Sequence, residues 1–127
     1  MDTETGDEVW QRWLNEFYKG RPKPEQPIHA IANITFLRTD EGGRSGPVAS
    51  GYHGQFHNEG NDTHVGAVYT FASGNPVQPG EATEAIIQFI TPEAHAGHLY
   101  PGREFEIREG RRIVALGRIT WVGDLKA

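Results

Sequence analysis

The sequence predicts an all-β domain, a small antiparallel barrel or sandwich, preceded by one amphipathic helix. Two observations carry this prediction. Short runs of β-branched and aromatic residues recur along the chain between turn residues, which is the pattern of an all-β fold. Glycine and proline are abundant, with 16 glycines and 8 prolines among 127 residues, and this composition favours many tight turns over a helical bundle.

The helix is predicted over residues 7–19, after a capping-box sequence from Thr5 to Glu8. Its apolar residues recur at helical spacing; they are Val9, Trp10, Trp13, Leu14, Phe17 and Tyr18. Because this face is too apolar to remain in water, we expect it to pack on the following domain or on a partner. Three prolines within residues 21–27 then predict an extended linker. Residues 1–27 therefore form a helix-and-linker segment before the β domain of residues 28–127.

Six strands are predicted in the β domain from alternation, β-branching and flanking turn residues. Their approximate ranges are 28–37, 54–57, 65–72, 81–90, 104–108 and 112–122. The turns between them contain Gly42-Gly43, Pro79-Gly80 and Glu109-Gly110, because glycine permits the positive φ that tight turns require.

Three segments of the β domain resemble the C-terminal (third) domain of translation elongation factor Tu. The first runs from Asp40 to Phe56, with Asp-Glu-Gly-Gly-Arg, Pro47, Gly51-Tyr52 and Gln55-Phe56. The second is Val77-Gln78-Pro79-Gly80-Glu81, and the third is Phe105-Glu106-Ile107-Arg108-Glu109-Gly110-Arg111-Arg112. Their order and approximate spacing agree with the family over residues 28–122.

The resemblance implies a six-stranded antiparallel barrel of Greek-key type. It also implies a binding domain and not an enzyme, since the family domain contacts the T-stem backbone of aminoacyl-tRNA and packs on its own GTPase domain. We expect no GTPase activity and no bound nucleotide, because the sequence contains no G-x-x-x-x-G-K-[ST] phosphate loop and no room for a GTPase domain. No cofactor is expected.

The residues that match the RNA-contacting motif of the family are Gln55, Glu109 and Gly110, with Arg108 and Arg112 beside them. Glutamine can exchange hydrogen bonds with ribose 2′-hydroxyl groups, and arginines suit phosphate or carboxylate partners. The alternative is that Gln55 and Glu109 satisfy backbone groups at turns. For the arginines, the alternative is that they form ion pairs across strands with the glutamates interspersed among them.

Two departures from the family favour a protein partner over tRNA. His53-Gly54 stands where the family has Arg-Pro, and the segment after Phe56 has lost a second basic residue and gained Glu59. The net charge is −5, whereas RNA binding depends on neutralising phosphates. The leading hypothesis is therefore a protein-binding module, with Trp10 and Trp13 as further contacts if the helix does not fold back. The alternative is a tRNA-binding module.

Other classes of function are disfavoured by the residue types. The absence of cysteine excludes disulfides and thiol chemistry. His53 and His57, or His95 and His98, form pairs with no third ligand, so no metal site is predicted. No serine or carboxylate pair is marked as catalytic, and a small enzyme is the least favoured hypothesis. Neither a signal peptide nor a membrane span is present in the sequence, so a cytoplasmic location is expected.

Overall fold

The chain consists of one helix followed by six strands in the residues that the structure, a computed structural model, describes. These residues are 6–20, 27–58, 61–72 and 75–125, without the side chains of residues 6, 7, 10 and 61–65. The elements are α1 (Gly6–Phe17), β1 (Ala30–Phe36), β2 (Tyr52–Asn58), β3 (Asn61–Phe71), β4 (Ala82–Phe89), β5 (Glu104–Glu109) and β6 (Arg112–Val122). Thr5 of the predicted capping box and most of the predicted proline linker lie outside the described residues.

The six strands close into a barrel in the order β1-β4-β3-β2-β5-β6, and β6 pairs with β1 to complete it. Every pairing is antiparallel. Strands β2, β3 and β4 are consecutive neighbours, and β1 lies beside β4, which is a Greek-key connection. The predicted fold class is thereby confirmed, and closure leaves no long unpaired strand edge.

Aromatic rings pack tightly at the centre of the barrel. Phe56 stacks on Phe105 with 4.4 Å between ring centroids and meets Phe89 edge-on at 5.0 Å. Gly117 lies directly opposite Phe105 in the β5–β6 register, and a Cβ atom at this position would overlap the Phe105 ring. Glycine at 117 is therefore required for this packing.

Helix α1 packs on the outside of the barrel. Leu14 is buried against Ile31 of β1 and Ile86 of β4, which face each other in the strand register. Ile31 shares its strand face with the exposed Asn33 and Thr35, and it is buried because the helix covers it. Partly buried apolar residues surround this contact: Trp13, Phe17, Tyr18, Ile28 and Trp121. Of the two alternatives for the aromatic helix face, packing on the barrel is the one observed.

The segment between β4 and β5 inserts a histidine into the core. A short 3-10 helix, Pro92–His95, begins this segment, and the side chain of His95 has no exposed surface. Its ring stacks on Phe89 with a centroid distance of 4.1 Å and meets Phe56 edge-on at 5.3 Å. Neither ring nitrogen has a hydrogen-bond partner among the described residues. Burial, reinforced by His98 and His29, lowers the pKa of His95 to about 4.

Candidate functional site

The barrel brings four of the predicted site residues together at the β2–β5 pairing and the adjoining β5–β6 turn. Gln55 of β2 lies opposite Arg108 of β5 in the strand register. Glu109 follows at the end of β5, and Gly110 forms the turn to β6 with a φ of 62°. A non-glycine residue would be strained in this left-handed conformation. The strand pairing and the tight turn therefore position the group as a single surface.

Glu109 connects the β5–β6 turn to the segment that precedes β2. Its Oε2 atom accepts hydrogen bonds from the Arg44 guanidinium and from the Tyr52 hydroxyl, the latter at 2.5 Å. Arg44 also lies over the Tyr52 ring, with Cζ 5.5 Å from the ring centroid. Burial and the hydrogen bond to Glu109 raise the pKa of the Tyr52 hydroxyl. The partners of Glu109 are therefore the side chains of Arg44 and Tyr52, which are distant in the sequence. The sequence had indicated either backbone groups of the turn or RNA as its partners.

The arginines of the site divide into paired and unpaired groups. Arg108 donates to Glu106 on the same strand through Nε at 3.0 Å and through Nη2 at 2.5 Å. Arg118 pairs across strands with Glu104 at 2.9 Å, as the interspersed glutamates predicted. Arg111 and Arg112 are exposed, and neither forms an ion pair with another described residue. Among the arginines of the site, Arg111 and Arg112 at the β5–β6 turn are therefore available to a partner.

An open depression joins these residues to the neighbouring strands. Its lining consists of His53, Gly54, Gln55, Gly66, Arg108, Glu109 and Gly110. Gly66 of β3 lies opposite Gln55, and Ile90, at the end of β4, lies beside Gly66 with 61% of its surface exposed. The lining of the depression is therefore polar, and Ile90 lies next to it, beside Gly66.

Trp13 of the helix does not belong to this surface. Trp13 is partly buried against the apolar patch that contains Ile31 and Ile86, and it stacks on Phe17 with a centroid distance of 5.5 Å. The side chain of Trp10 lies outside the described residues. Trp13 was expected to contact a partner only if the helix did not fold back on the barrel. Because the helix packs on the barrel, this condition is not met.

No cluster of metal-ligating side chains is formed by the described part of the chain. It contains no group of three or more histidine, aspartate and glutamate residues that could hold a metal ion. His29 serves the fold, because its Nδ1 atom accepts a hydrogen bond from the Phe89 amide at 2.8 Å, and burial lowers its pKa. None of the helices in the described residues is long and apolar enough to cross a membrane.

Four residues of the site were not predicted from the sequence. Arg44 and Tyr52 belong to the Gly-Gly-Arg and Gly-Tyr motifs, which indicate turns and the family resemblance. These motifs do not indicate that both side chains bind Glu109. Gly66 and Ile90 carry no motif, and only the strand register places them beside Gln55. Their proximity depends on pairings between strands distant in sequence.

The described residues thus form a closed six-stranded Greek-key barrel domain with a polar depression beside one hairpin. The family model described as the elongation factor Tu C-terminal domain matches residues 23–123. The chain belongs to this family, which confirms the resemblance of the three motifs. The matched range includes every strand of the barrel, whereas α1 lies before it.

Proposed function

We propose that the chain is a non-catalytic binding module of translation, with a protein as its partner and without GTPase activity. The charge balance of the depression carries this proposal. Arg108 is neutralised by Glu106 and Glu109 by Arg44, so the walls are polar but nearly neutral. Such a surface suits hydrogen bonding and shape recognition between proteins, whose interfaces combine apolar and polar contacts.

The same balance argues against tRNA as the principal partner. Arg111 and Arg112 are the unpaired cations at this turn, and each phosphate contact on RNA contributes roughly one unit or less to the salt slope of binding. Two contacts give a logarithmic slope of about −1.4 to −1.8, which is shallow for a protein that binds the phosphate backbone of a nucleic acid. The net charge of −5 further opposes approach of a polyanion.

RNA binding is the second candidate, and one observation favours it. The positions that match the RNA-contacting motif of the family, Gln55, Glu109 and Gly110, line the same depression. The Gln55 amide can exchange hydrogen bonds with a ribose 2′-hydroxyl, and the exposed Arg111 and Arg112 at the β5–β6 turn can pair with phosphates.

Affinity capture from an extract of the encoding organism, with and without ribonuclease, tests the leading proposal. The full chain is the bait, and the variant Arg111→Glu/Arg112→Glu is compared with Arg12→Glu/Lys19→Glu, which makes the same change in net charge at the helix. We expect a protein that is retained after ribonuclease treatment, lost with the first variant and kept with the second. The captured protein is then purified and its binding measured by calorimetry.

A direct titration distinguishes the two candidates. Fluorescently labelled aminoacyl-tRNA is added to the chain at 50 and 200 mM salt. Micromolar or tighter binding with a steep salt slope, together with no ribonuclease-resistant protein in the capture experiment, would overturn the protein-binding proposal in favour of RNA.

A further inference from the structure

An open groove of about 410 Å³ lies along one flank of α1, between the helix and the barrel. Its lining consists of Trp13, Glu16, Phe17, Lys19, Ala72 and Glu84. None of these residues lines the depression beside the β5–β6 turn, so the groove is a separate surface. The family model matches the chain from residue 23 onward, and the helical wall of the groove therefore lies outside the matched range.

The helical wall combines aromatic rings with a carboxylate. Residues three and four positions apart are neighbours on the surface of a helix, so Trp13 adjoins both Glu16 and Phe17. Trp13 and Phe17 are half-buried, and their rings stack with a centroid distance of 5.5 Å. Glu16 is exposed beside them. This wall therefore has an apolar base with a negative charge at its outer edge.

The barrel wall provides a second carboxylate. Ala72, the residue after β3, donates its amide to the Glu84 carbonyl of β4 at 2.9 Å. Glu84 and Ile86 are two residues apart and share one face of the strand. This face is the outer one, because Ile86 packs against Leu14 of the helix. Glu84, which is half-buried, therefore lies at the border of the area that α1 covers.

The charges of the groove favour a cation. Neither Glu16 nor Glu84 forms an ion pair with another residue in the described part of the chain. Lys19 also lines the groove and pairs with neither of them there, which leaves one net negative charge, of the same sign as the net charge of −5 on the whole chain. A long cationic side chain can pack its apolar stem on aromatic rings while its charged end pairs with carboxylates.

We propose that this groove binds an arginine side chain of the partner protein. The inference rests on the proposed function, in which the partner is a protein. Arginine fits the groove better than lysine does, because a planar guanidinium carries five donors for carboxylates on two walls and also stacks on aromatic rings. Arginine is, in addition, one of the residue types that contribute most to binding between proteins.

NMR titration of the isotope-labelled full chain tests this proposal with three small probes. These are the N-acetyl methylamides of arginine, of lysine and of citrulline, which has nearly the shape of arginine without its charge. We expect saturable shifts at the backbone amides of Glu16, Phe17 and Ala72 with the arginine probe. The shifts should saturate at higher concentrations with the lysine probe and be absent with the citrulline probe.

The charge variants give effects of opposite sign. Glu16→Gln and Glu84→Gln should each weaken binding of the arginine probe about two- to fivefold, which corresponds to the loss of one partly exposed ion pair. Lys19→Gln removes the repelling charge and should strengthen binding by a similar factor. The matched control is Glu93→Gln, since Glu93 is exposed and follows the C-terminal end of β4, whereas Glu84 lies near its start; it should leave the affinity unchanged.

The protein captured from the extract provides the second measurement. Its affinity for the double variant Glu16→Gln/Glu84→Gln, measured by calorimetry, should be about tenfold lower than for wild type, as expected when two partly exposed ion pairs are lost. Thermal melting verifies that the variant is folded.

Binding of the citrulline or lysine probe as tight as that of the arginine probe would overturn the inference, as would unchanged probe affinity in both single glutamate variants. The inference and the proposed function can fail separately. If the captured protein binds the double variant as tightly as wild type, the inference is wrong and the protein-binding function stands. If no ribonuclease-resistant protein is captured and tRNA binds with a steep salt slope, the proposed function is wrong.

Discussion

The buried histidine of the β4–β5 segment makes the stability of the barrel sensitive to acid. Burial lowers the pKa of His95 from the ordinary 6.5 to about 4 in the folded protein. As pH falls below 6.5, the unfolded chain takes up a proton at this residue while the folded chain does not, so the free energy of unfolding decreases. The loss develops from about pH 6.5 downward and is complete below about pH 4, where both states are protonated.

The magnitude follows from the two pKa values. Between pH 8 and pH 5 His95 alone lowers the free energy of unfolding by about 2 kcal/mol, at about 1.4 kcal/mol per unit of pKa difference. His95→Phe keeps an aromatic ring against Phe89 and removes the titrating group. We therefore expect the decrease in stability between pH 8 and pH 5 to be about 2 kcal/mol smaller in this variant than in wild type.

Urea unfolding at pH 8, 7, 6 and 5, followed by circular dichroism, measures this difference. The readout is the change with pH within each protein, so a constant packing cost of the larger ring does not affect it. His53→Gln is the matched control, because His53 is exposed, and its pH profile should follow that of wild type. A profile for His95→Phe that parallels wild type within about 0.5 kcal/mol would refute the reasoning.

Three further predictions concern packing and the turn. Gly117→Ala should lower the free energy of unfolding by about 1–3 kcal/mol, because the new methyl group overlaps the Phe105 ring; urea unfolding measures it, and a loss below about 0.5 kcal/mol would contradict the packing. Leu14→Ala should cost about 2–4 kcal/mol by the same measurement, since Leu14 is buried between helix and barrel; an unchanged unfolding midpoint would show that the helix contributes nothing to the barrel. Glu109→Gln should lower the pKa of Tyr52, because Glu109 contributes to raising it. Absorbance of the phenolate during alkaline titration measures this shift, and an unchanged titration curve would contradict the contact.

Much of the fold could be predicted from the sequence because strand and turn signals are local. The range predicted for β6, residues 112–122, agrees with the observed Arg112–Val122, since alternation and the Glu109-Gly110 turn define its start. The run before Pro92 was predicted as a strand from its β-branched residues in spite of its alanines and glutamates, and it forms β4, Ala82–Phe89. The strand before it was predicted to begin at residue 65, whereas β3 begins at Asn61.

The site was less predictable because its contacts join distant segments. The resemblance to the family selected Gln55 and Glu109, and the barrel places both in one depression. The pairing of Arg44 with Glu109 joins residues 65 positions apart, and no local pattern reports such a contact. In the sequence His95 is noticeable only as one of a pair of histidines without a third metal ligand, and only its stacking on Phe89 reveals that it fills the core.

The pairing of the first barrel strand with the last has a consequence for how this domain can be used. Ala30 and Val122 are register partners, so the two points where the chain enters and leaves the barrel are about 5 Å apart. A short linker joining them would permit circular permutation, with new termini opened in an exposed turn such as that at Gly110. For the same reason, the barrel is suited to insertion into a loop of a host protein, because entry and exit at one point require no rearrangement of the host backbone.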